Sequence, residues 1–173
     1  MRKTLIVLTS MAFALFGCGS SEPLATVDKV DVKRYAGLWY EIARLPNTFQ
    51  KNCTCTTAQY EVKEGYISVL NECWNTTKNK KVNAKGKAFP VEGSNNASLK
   101  VQFFWPFKGD YNVIALDEGY QYAMVGAKDR KYLWILSRNP QLSESIVSEL
   151  KAKAESLGYD TSKLLFTEHP CPK

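Results

Sequence analysis

Thiol and imidazole groups are the side chains in this sequence that could bind a metal or act as nucleophiles. The 173 residues include five cysteines and one histidine. Beyond the N-terminal region these residues are Cys53, Cys55, Cys73, Cys171 and His169. Thiolates suit zinc, so they could form a metal site. However, a Cys-x-Cys pair on a strand points both thiols to one face, and an even number of cysteines in an exported chain favours disulfides. We therefore expect two disulfides and no metal or cofactor.

Catalysis by histidine would have to use His169, because the chain has no other histidine. It lies near the C-terminus without an obvious partner, so we expect a solvated tail residue and no Ser-His-Asp or Cys-His site. The sequence contains no phosphate-binding glycine loop, dinucleotide fingerprint or zinc-protease helix. Acidic residues are spread along turns and one helix, which gives no acid–base pair. We expect a protein that is not an enzyme, and the alternative is catalysis by a free thiol at Cys53, Cys55 or Cys73.

The N-terminus resembles that of an exported lipoprotein. Arg2 and Lys3 precede an apolar run at 5–16, and the small Gly17 precedes Cys18. A charged start and an apolar run of this length are typical of a secretory signal. The end of the run resembles the bacterial lipobox, which implies cleavage before Cys18 and acylation of that cysteine. An ordinary signal peptide with an incidental cysteine is the alternative.

These features divide the chain into a signal peptide at 1–17, a lipidated N-terminus and tether at 18–27, and one domain at 28–173. Among such lipoproteins, a residue other than aspartate after the acylated cysteine implies the outer membrane, and Gly19 fits this rule. We expect a lipid anchor in the outer membrane with the domain facing the periplasm. The net charge of +6 falls to about +4 without the signal peptide, and its scattered basic residues argue against a nucleic-acid partner.

Alternating apolar and polar residues indicate eight antiparallel strands joined mostly by short turns. In the clearest run, 98–105, one face carries Leu99, Val101, Phe103 and Trp105. No crossover helices intervene, so the pattern favours up-and-down closure into an eight-stranded barrel with room for one small ligand.

Glycine marks the predicted turns, among them a three-residue loop at 63–65 and a turn at 108–110. One helix is predicted, with an apolar stripe over 142–157 and Gly158 as its stop. A final strand is expected within 159–166.

Three short stretches, 35–44, 111–117 and 132–138, carry a family resemblance. In this order and at these distances they resemble the signature regions of the lipocalins, above all of bacterial outer-membrane lipocalins and apolipoprotein D. The resemblance covers roughly residues 28–171. It implies an all-β fold, an eight-stranded antiparallel up-and-down β-barrel with one C-terminal α-helix packed outside.

The resemblance also implies a closed floor and an open cup. In lipocalins the arginine at the position of Arg138 lies across the indole at the position of Trp39, which gives Gly37, Trp39 and Arg138 a structural role at the barrel floor. The alternative to a cup is a solid barrel. The residues expected to line the cavity are Phe49, Val69, Phe89, Leu99, Val101, Phe103, Tyr111, Val113, Tyr122 and Met124.

The disulfide pairing is left open by the residues themselves. Simple register across a three-residue loop places Cys55 opposite Cys73, with Cys53 on a diagonal. The family resemblance instead implies the pairs Cys53–Cys73 and Cys55–Cys171, and we adopt these.

Aromatic and branched walls with a few phenolic hydroxyls suit an elongated apolar ligand with a polar end. By resemblance, we expect an outer-membrane-anchored lipocalin that binds fatty acids or lysophospholipids and stores or transports them for membrane maintenance under stress. The alternative is a carrier of a coloured cofactor such as haem or a carotenoid, although the single tail histidine argues against haem ligation. Relatives form homodimers, but the sequence specifies no interface.

Overall fold

The computed structural model describes residues 23–169, so Cys18 and Cys171 lie outside the described residues. In chain order the helices and strands are α1 (Val32–Tyr35), β1 (Gly37–Arg44), β2 (Cys53–Lys63), β3 (Tyr66–Asn75), β4 (Lys80–Pro90), β5 (Ser98–Phe104), β6 (Phe107–Leu116), β7 (Tyr122–Gly126), β8 (Leu133–Ser137), α2 (Glu144–Ser156), a 3-10 helix (Thr161–Lys163) and β9 (Leu165–Phe166).

Strands β1 to β8 form one closed antiparallel sheet. Each strand pairs with its neighbours in sequence, and β1 closes the barrel by pairing with both β2 and β8. This confirms the predicted eight-stranded up-and-down barrel, to which β9 adds one short strand beside β1.

The two ends of the barrel differ. Helix α1 crosses one end, which we call the closed end, and the other is the open end. The hairpin loops of the closed end are 64–65, 91–97 and 117–121, and the loops of the open end are 45–52, 76–79, 105–106 and 127–132.

Strand β9 fills the gap where β1 and β2 separate toward the open end. Strand β1 pairs with β2 only up to Tyr40, and beyond it Ala43 and Arg44 pair with β9. On the other side of the tail, the Cys55 N–H donates to the Glu168 carbonyl oxygen at 3.2 Å. The C-terminal tail is therefore a wedge between two strands of the barrel wall.

Helix α2 lies outside the barrel, as predicted. Its first turn is capped by Ser143, whose side chain accepts a hydrogen bond from the Ile146 N–H, and the chain leaves it through Gly158 at φ +86°. Leu150 and Ala154 are buried against the outer face of the sheet. In the part of the chain that the structure describes, no helix is long and apolar enough to cross a membrane.

Two predicted turns are wrong. Lys63 pairs with Tyr66, so the β2–β3 loop has two residues and not three. Residues 108–110 lie within β6, and the chain turns instead at Trp105 and Pro106. A proline cannot donate to a strand ladder, whereas a glycine is tolerated inside a strand where another backbone approaches, so the proline was the stronger signal.

The predicted strand at 159–166 is also wrong for most of its length. Only its last two residues pair as β9, and Thr161–Lys163 forms the 3-10 helix. Tyr159 fills a buried site outside the barrel, where its hydroxyl donates to the Ala127 carbonyl oxygen at 2.9 Å.

Candidate ligand cavity

A cavity of about 600 Å³ occupies the barrel interior. This volume lies within the range of about 300–1,000 Å³ that small-molecule sites occupy. The barrel is therefore a cup and not a solid core. The apolar residues of its wall are Ala58, Val69, Val101, Phe103, Val125, Trp134 and Leu136.

The floor of the barrel is built around Trp39, which is fully buried and donates its Nε1–H to the Tyr35 carbonyl oxygen at 2.8 Å. The Arg138 guanidinium lies 3.9 Å from the centroid of the Trp39 ring. It also donates to five backbone carbonyl oxygens, those of Arg34, Tyr35, Ala36, Leu38 and Tyr120. Gly37 has φ +97°, and a Cβ there would lie only 3.3 Å from Arg138 Nη1. The structure thus places Gly37, Trp39 and Arg138 together at the closed end.

Three tyrosines form a hydrogen-bonded group just above the floor, which we call the tyrosine cluster. The Tyr111 hydroxyl lies 2.8 Å from that of Tyr35 and 3.0 Å from that of Tyr60, and Tyr60 and Tyr111 line the cavity. Burial raises the pKa of Tyr60 to about 12 and raises the pKa of Tyr35 and Tyr111 well above the usual value. The cluster therefore presents neutral phenols to a ligand.

A polar patch faces the cavity from β1, β2, β3 and the first loop. Its members are Glu41, Gln50, Thr56, Thr57 and Asn71. The Thr56 Oγ1 and Asn71 Oδ1 atoms are buried and have no hydrogen-bond partner within the described chain. Buried polar atoms are normally paired, so these two oxygens, which lie beneath the surface of the cavity wall, are exceptions.

The first loop is fixed to the barrel wall by Gln50. Its Nε2 atom donates to Glu41 Oε2 at 2.6 Å, and its Oε1 atom accepts from Trp134 Nε1 at 2.9 Å. Glu41 is 2% exposed and forms a salt bridge with Arg44 at 2.8 Å, while Thr167 of the tail donates to the same carboxylate oxygen at 2.5 Å. The buried carboxylate is thus compensated by a cation and by hydrogen bonds.

Aromatic and charged residues surround the open end. Phe49 from the first loop packs on Tyr132 and Trp134, with ring centroids 5.5 and 6.2 Å apart. Phe104 and Phe107 line another side of the opening. The charged residues of the opening are Lys108, Asp110, Lys128 and Asp129. The cavity thus passes from neutral phenols, through an apolar middle, to a charged rim.

This closed eight-stranded barrel has counterparts among known proteins. The family model described as "Lipocalin-like domain" matches residues 30–169. The chain belongs to the lipocalin family. It is 39% identical over 170 residues to outer membrane lipoprotein Blc of Escherichia coli (strain K12), with 96% of each chain covered. It is 34% identical over 187 residues to apolipoprotein D of Macaca fascicularis, with 98% of this chain and 97% of that protein covered.

The fold of this lipocalin also matches solved structures. Apocrustacyanin C2 superimposes with a TM-score of 0.67 over 81% of this chain and 80% of that chain, at 18% sequence identity. The resemblance predicted from the sequence, to bacterial outer-membrane lipocalins and to apolipoprotein D, is confirmed. The names of the bacterial relatives support a lipid-anchored location at the outer membrane. Lipocalins generally bind and carry ligands, and the names of the relatives indicate no catalysis. These comparisons support a lipoprotein that binds a hydrophobic ligand.

Within this lipocalin, the predicted cavity residues fall into two groups. Those that line the cavity are Phe49, Val69, Val101, Phe103 and Tyr111. Leu99 and Val113 belong to the interior core around Trp39, nearer the closed end. Phe89, Tyr122 and Met124 do not face the interior.

The strand parity assigned to these three residues is wrong. Phe89 contacts Tyr66 outside the barrel, with ring centroids 6.3 Å apart. Tyr122 and Met124 pack beneath α2, whereas Val125 faces the cavity. A sheet covered by a helix is buried on both faces, so hydrophobic residues occupy both parities and alternation no longer marks the interior.

The cysteine pairing implied by the lipocalin resemblance is found for one pair. Cys53 and Cys73 form a disulfide with their Cα atoms 5.5 Å apart. A bulge at Cys55 shifts the register between β2 and β3, which places Cys53 on the same face as Cys73 across a diagonal. Cys55 is buried, and its N–H binds Glu168, three residues before Cys171. The Cys55–Cys171 pair remains a prediction.

His169 is not the solvated tail residue that the sequence predicts. Its Nε2 atom lies 3.1 Å from the Glu41 carbonyl oxygen, and its ring meets Tyr40 edge-on with centroids 5.4 Å apart. The wedge formed by the tail holds it against β1, and a sequence alone does not reveal such long-range pairing. Between residues 23 and 169 there is no group of histidine, cysteine and acidic residues suited to hold a metal.

Proposed function

We propose that this lipocalin binds fatty acids or lysophospholipids and stores or transports them at the outer membrane during envelope stress, without catalysing a reaction. The observation that carries the proposal is the cavity of about 600 Å³, in which an apolar middle is joined to a polar patch and a lysine-containing rim. An amphiphile with one acyl chain has the same sequence of apolar and polar parts.

The acyl chain would lie along the apolar wall. Burial of a dozen methylenes contributes roughly 10 kcal/mol at about 0.8 kcal/mol each, and association costs about 4–15 kcal/mol. The net affinity therefore depends on how well the polar end is bound. In the ligand-bound protein, small rotations of Thr56 and Asn71 would turn their unpartnered oxygens toward the hydroxyl groups of a glycerol moiety. Lys128 at the rim favours a carboxylate or a phosphate.

The first experiment identifies the ligand class. The full chain carrying Cys18→Ser is exported, purified, and analysed by native mass spectrometry and lipid extraction. A stoichiometric fatty acid or lysophospholipid that a fluorescent fatty acid displaces would support the proposal. An empty barrel that also refuses both added lipid classes would refute it.

Matched variants test the site itself. Val101→Trp fills the apolar middle and should weaken fatty-acid binding at least tenfold, because the side chain occupies acyl-chain volume. Asn71→Leu should weaken lysophospholipid binding, whereas Asn83→Leu, the same change on the exposed face of β4, should not. Equal affinities for both asparagine variants would exclude the polar patch as a contact for the headgroup.

The lipid anchor is part of the same proposal. Signal cleavage before Cys18 and acylation of that cysteine would keep the cup beside the membrane, and multiple acyl chains hold a protein there more firmly than one. Mass spectrometry of detergent-extracted protein should show a chain that begins at residue 18 with added acyl mass. Release of the Cys18→Ser protein from the membrane fraction would agree with this, and an unmodified Cys18 would contradict it.

Thiol counting separates the carrier from a thiol-dependent enzyme. We propose that Cys55 pairs with Cys171, since the tail brings Glu168 to the Cys55 backbone and three further residues reach about 10 Å. The mature, acylated protein should then contain no thiol that reacts after denaturation. Two reactive thiols, mapped to Cys55 and Cys171, would refute the second disulfide.

A further inference from the structure

The turn between β5 and β6 exposes three large aromatic side chains to solvent. Phe104, Trp105 and Phe107 are 78%, 86% and 77% exposed, and we call them the aromatic tip. Phe49, also at the open end, is 62% exposed. Single exposed apolar residues are ordinary on a protein surface, but a cluster at the tip of one hairpin marks a contact site.

The loops at the two ends of the barrel have opposite charges. The charged residues of the open-end loops are Lys51, Lys78, Lys128, Asp129, Arg130 and Lys131. Those of the closed-end hairpin loops are Glu64, Glu92, Asp117 and Glu118. The segment 28–36 and Arg138 also lie at the closed end and together add a net charge of +2, which leaves this end acidic. The molecule is therefore polarised along its axis, with its aromatic tip inside a cationic rim.

The N-terminal segment leads toward this same end. Val30 donates to the Asn95 carbonyl oxygen in a closed-end loop, Val27 donates to Val113 at 2.9 Å, and Leu24 is buried outside the barrel in the cluster beneath α2. The nine residues from Val27 back to Cys18 span up to about 30 Å when extended. The distance along β6 from Val113 to Phe107 is six residues, or about 20 Å. A lipid anchor on Cys18 can therefore lie level with the aromatic tip.

We propose that the aromatic tip inserts into the interfacial region of an anionic phospholipid bilayer, so that the open end of the barrel faces the membrane. Tryptophan prefers the depth of the lipid headgroups, and lysines around the tip attract anionic lipids. In this orientation an acyl chain passes between bilayer and cavity without crossing bulk water. The proposal goes beyond ligand binding, because it concerns a surface that includes Trp105, a residue outside the cavity wall.

Vesicle binding of the full exported chain carrying Cys18→Ser tests the proposal without the covalent anchor. The vesicles contain phosphatidylethanolamine and phosphatidylglycerol, and binding is measured by co-sedimentation. Trp105→Ser should weaken vesicle binding about tenfold. The control Leu38→Ser removes a side chain of 40% exposure near the closed end and should leave vesicle binding unchanged. Equal binding by the two variants would overturn the proposal.

Fluorescence reports insertion directly. Quenching by brominated lipid should be strong in the parent and largely lost in Trp105→Phe, which keeps an aromatic side chain and should keep vesicle binding. No difference in quenching between these two proteins would also overturn the proposal. So would a loss of dimer mass in Trp105→Ser without a loss of vesicle binding, since the tip would then join two copies of the chain.

Fatty-acid titration in the absence of vesicles keeps this test separate from the proposed function. Trp105→Ser should bind fatty acid as the parent does, because Trp105 is not part of the cavity wall. A parent that binds fatty acid but not vesicles refutes the membrane contact alone, and one that binds vesicles but no lipid ligand refutes the carrier function alone.

Discussion

Replacing Arg138 with methionine should lower the free energy of unfolding by about 3 kcal/mol. Methionine keeps much of the aliphatic stem but removes the guanidinium. In the native protein this group lies 3.9 Å from the Trp39 ring centroid and donates to five carbonyl oxygens. The variant therefore separates the charge-dependent contacts of the floor from its apolar packing.

The expected loss in the free energy of unfolding is the sum of these contacts, reduced because water can replace some of them. A cation–π contact contributes about 0.5–2 kcal/mol, depending on desolvation. Hydrogen bonds to a charged donor contribute about 1.5–3 kcal/mol each, and the three shortest, to Leu38, Arg34 and Ala36, are 2.7, 2.8 and 2.9 Å. Their simple sum would overestimate the loss, because Arg138 is half-buried and water can reach some of these carbonyls. The loss of one cation–π contact, together with one hydrogen bond that water does not replace, lowers the free energy of unfolding by about 3 kcal/mol.

Urea unfolding followed by tryptophan fluorescence measures this loss. With a slope of about 2 kcal/mol per molar urea, 3 kcal/mol corresponds to a midpoint about 1.5 M lower. The matched control is Arg34→Met, because Arg34 also stacks on an aromatic ring, 4.1 Å from the centroid of Tyr120. Arg34 makes one carbonyl hydrogen bond and is exposed, so its replacement should cost under about 1 kcal/mol.

Two results would refute this account of the floor. A loss under about 1 kcal/mol for Arg138→Met would show that the contacts contribute little beyond packing. Equal losses for the two arginine variants would show that burial and the number of hydrogen bonds do not set the magnitude.

Other residues give further expected outcomes. Gly126→Ala should lower the melting temperature, because the added Cβ would overlap the Tyr159 hydroxyl and lie 2.8 Å from Tyr159 Cζ. The control is Gly109→Ala, in which the added Cβ meets nothing closer than 3.9 Å. Equal melting temperatures for the two variants would contradict the clash. Tyr111→Phe should cost about 1–3 kcal/mol in urea unfolding, since it leaves the other hydroxyls of the tyrosine cluster without their shared partner. Because Tyr60 has a folded pKa of about 12 against 10.0 unfolded, its contribution to stability is complete below pH 10 and falls as the pH rises toward 12. Unfolding midpoints at pH 9 and 11 measure this fall, which should be smaller in Tyr60→Phe.

The sequence predicted the fold because alternation along a strand is a local pattern. The contacts among Gly37, Trp39 and Arg138 at the floor were implied instead by the resemblance of the short motifs around them to those of lipocalins. More and less buried residues alternate over 57–61 in β2 and 66–70 in β3, where one face of the sheet meets solvent. Such alternation is visible without knowledge of which distant residues meet.

The cavity wall was harder to predict because it depends on register and on what covers the outside. Met124 is as apolar as a cavity residue, but α2 covers it from outside. Thr56 and Asn71 are polar, so a search for apolar walls passes over them, and only their inward parity on β2 and β3 could have indicated their role. Trp105 was expected on the dry face of a strand, yet the turn at Pro106 carries it into solvent.

The wedge formed by the C-terminal tail determines when the barrel can close during folding. Strand β1 cannot be covered on both edges until β8 and β9, about a hundred residues later in the chain, are available to pair with it. Thr167 completes the bonds around Glu41, which in turn fixes Gln50 and the first loop. The earlier strands therefore form an open sheet for as long as the C-terminal residues are missing. The cavity is enclosed, with the first loop fixed beside it, only when the last residues of the chain are in place.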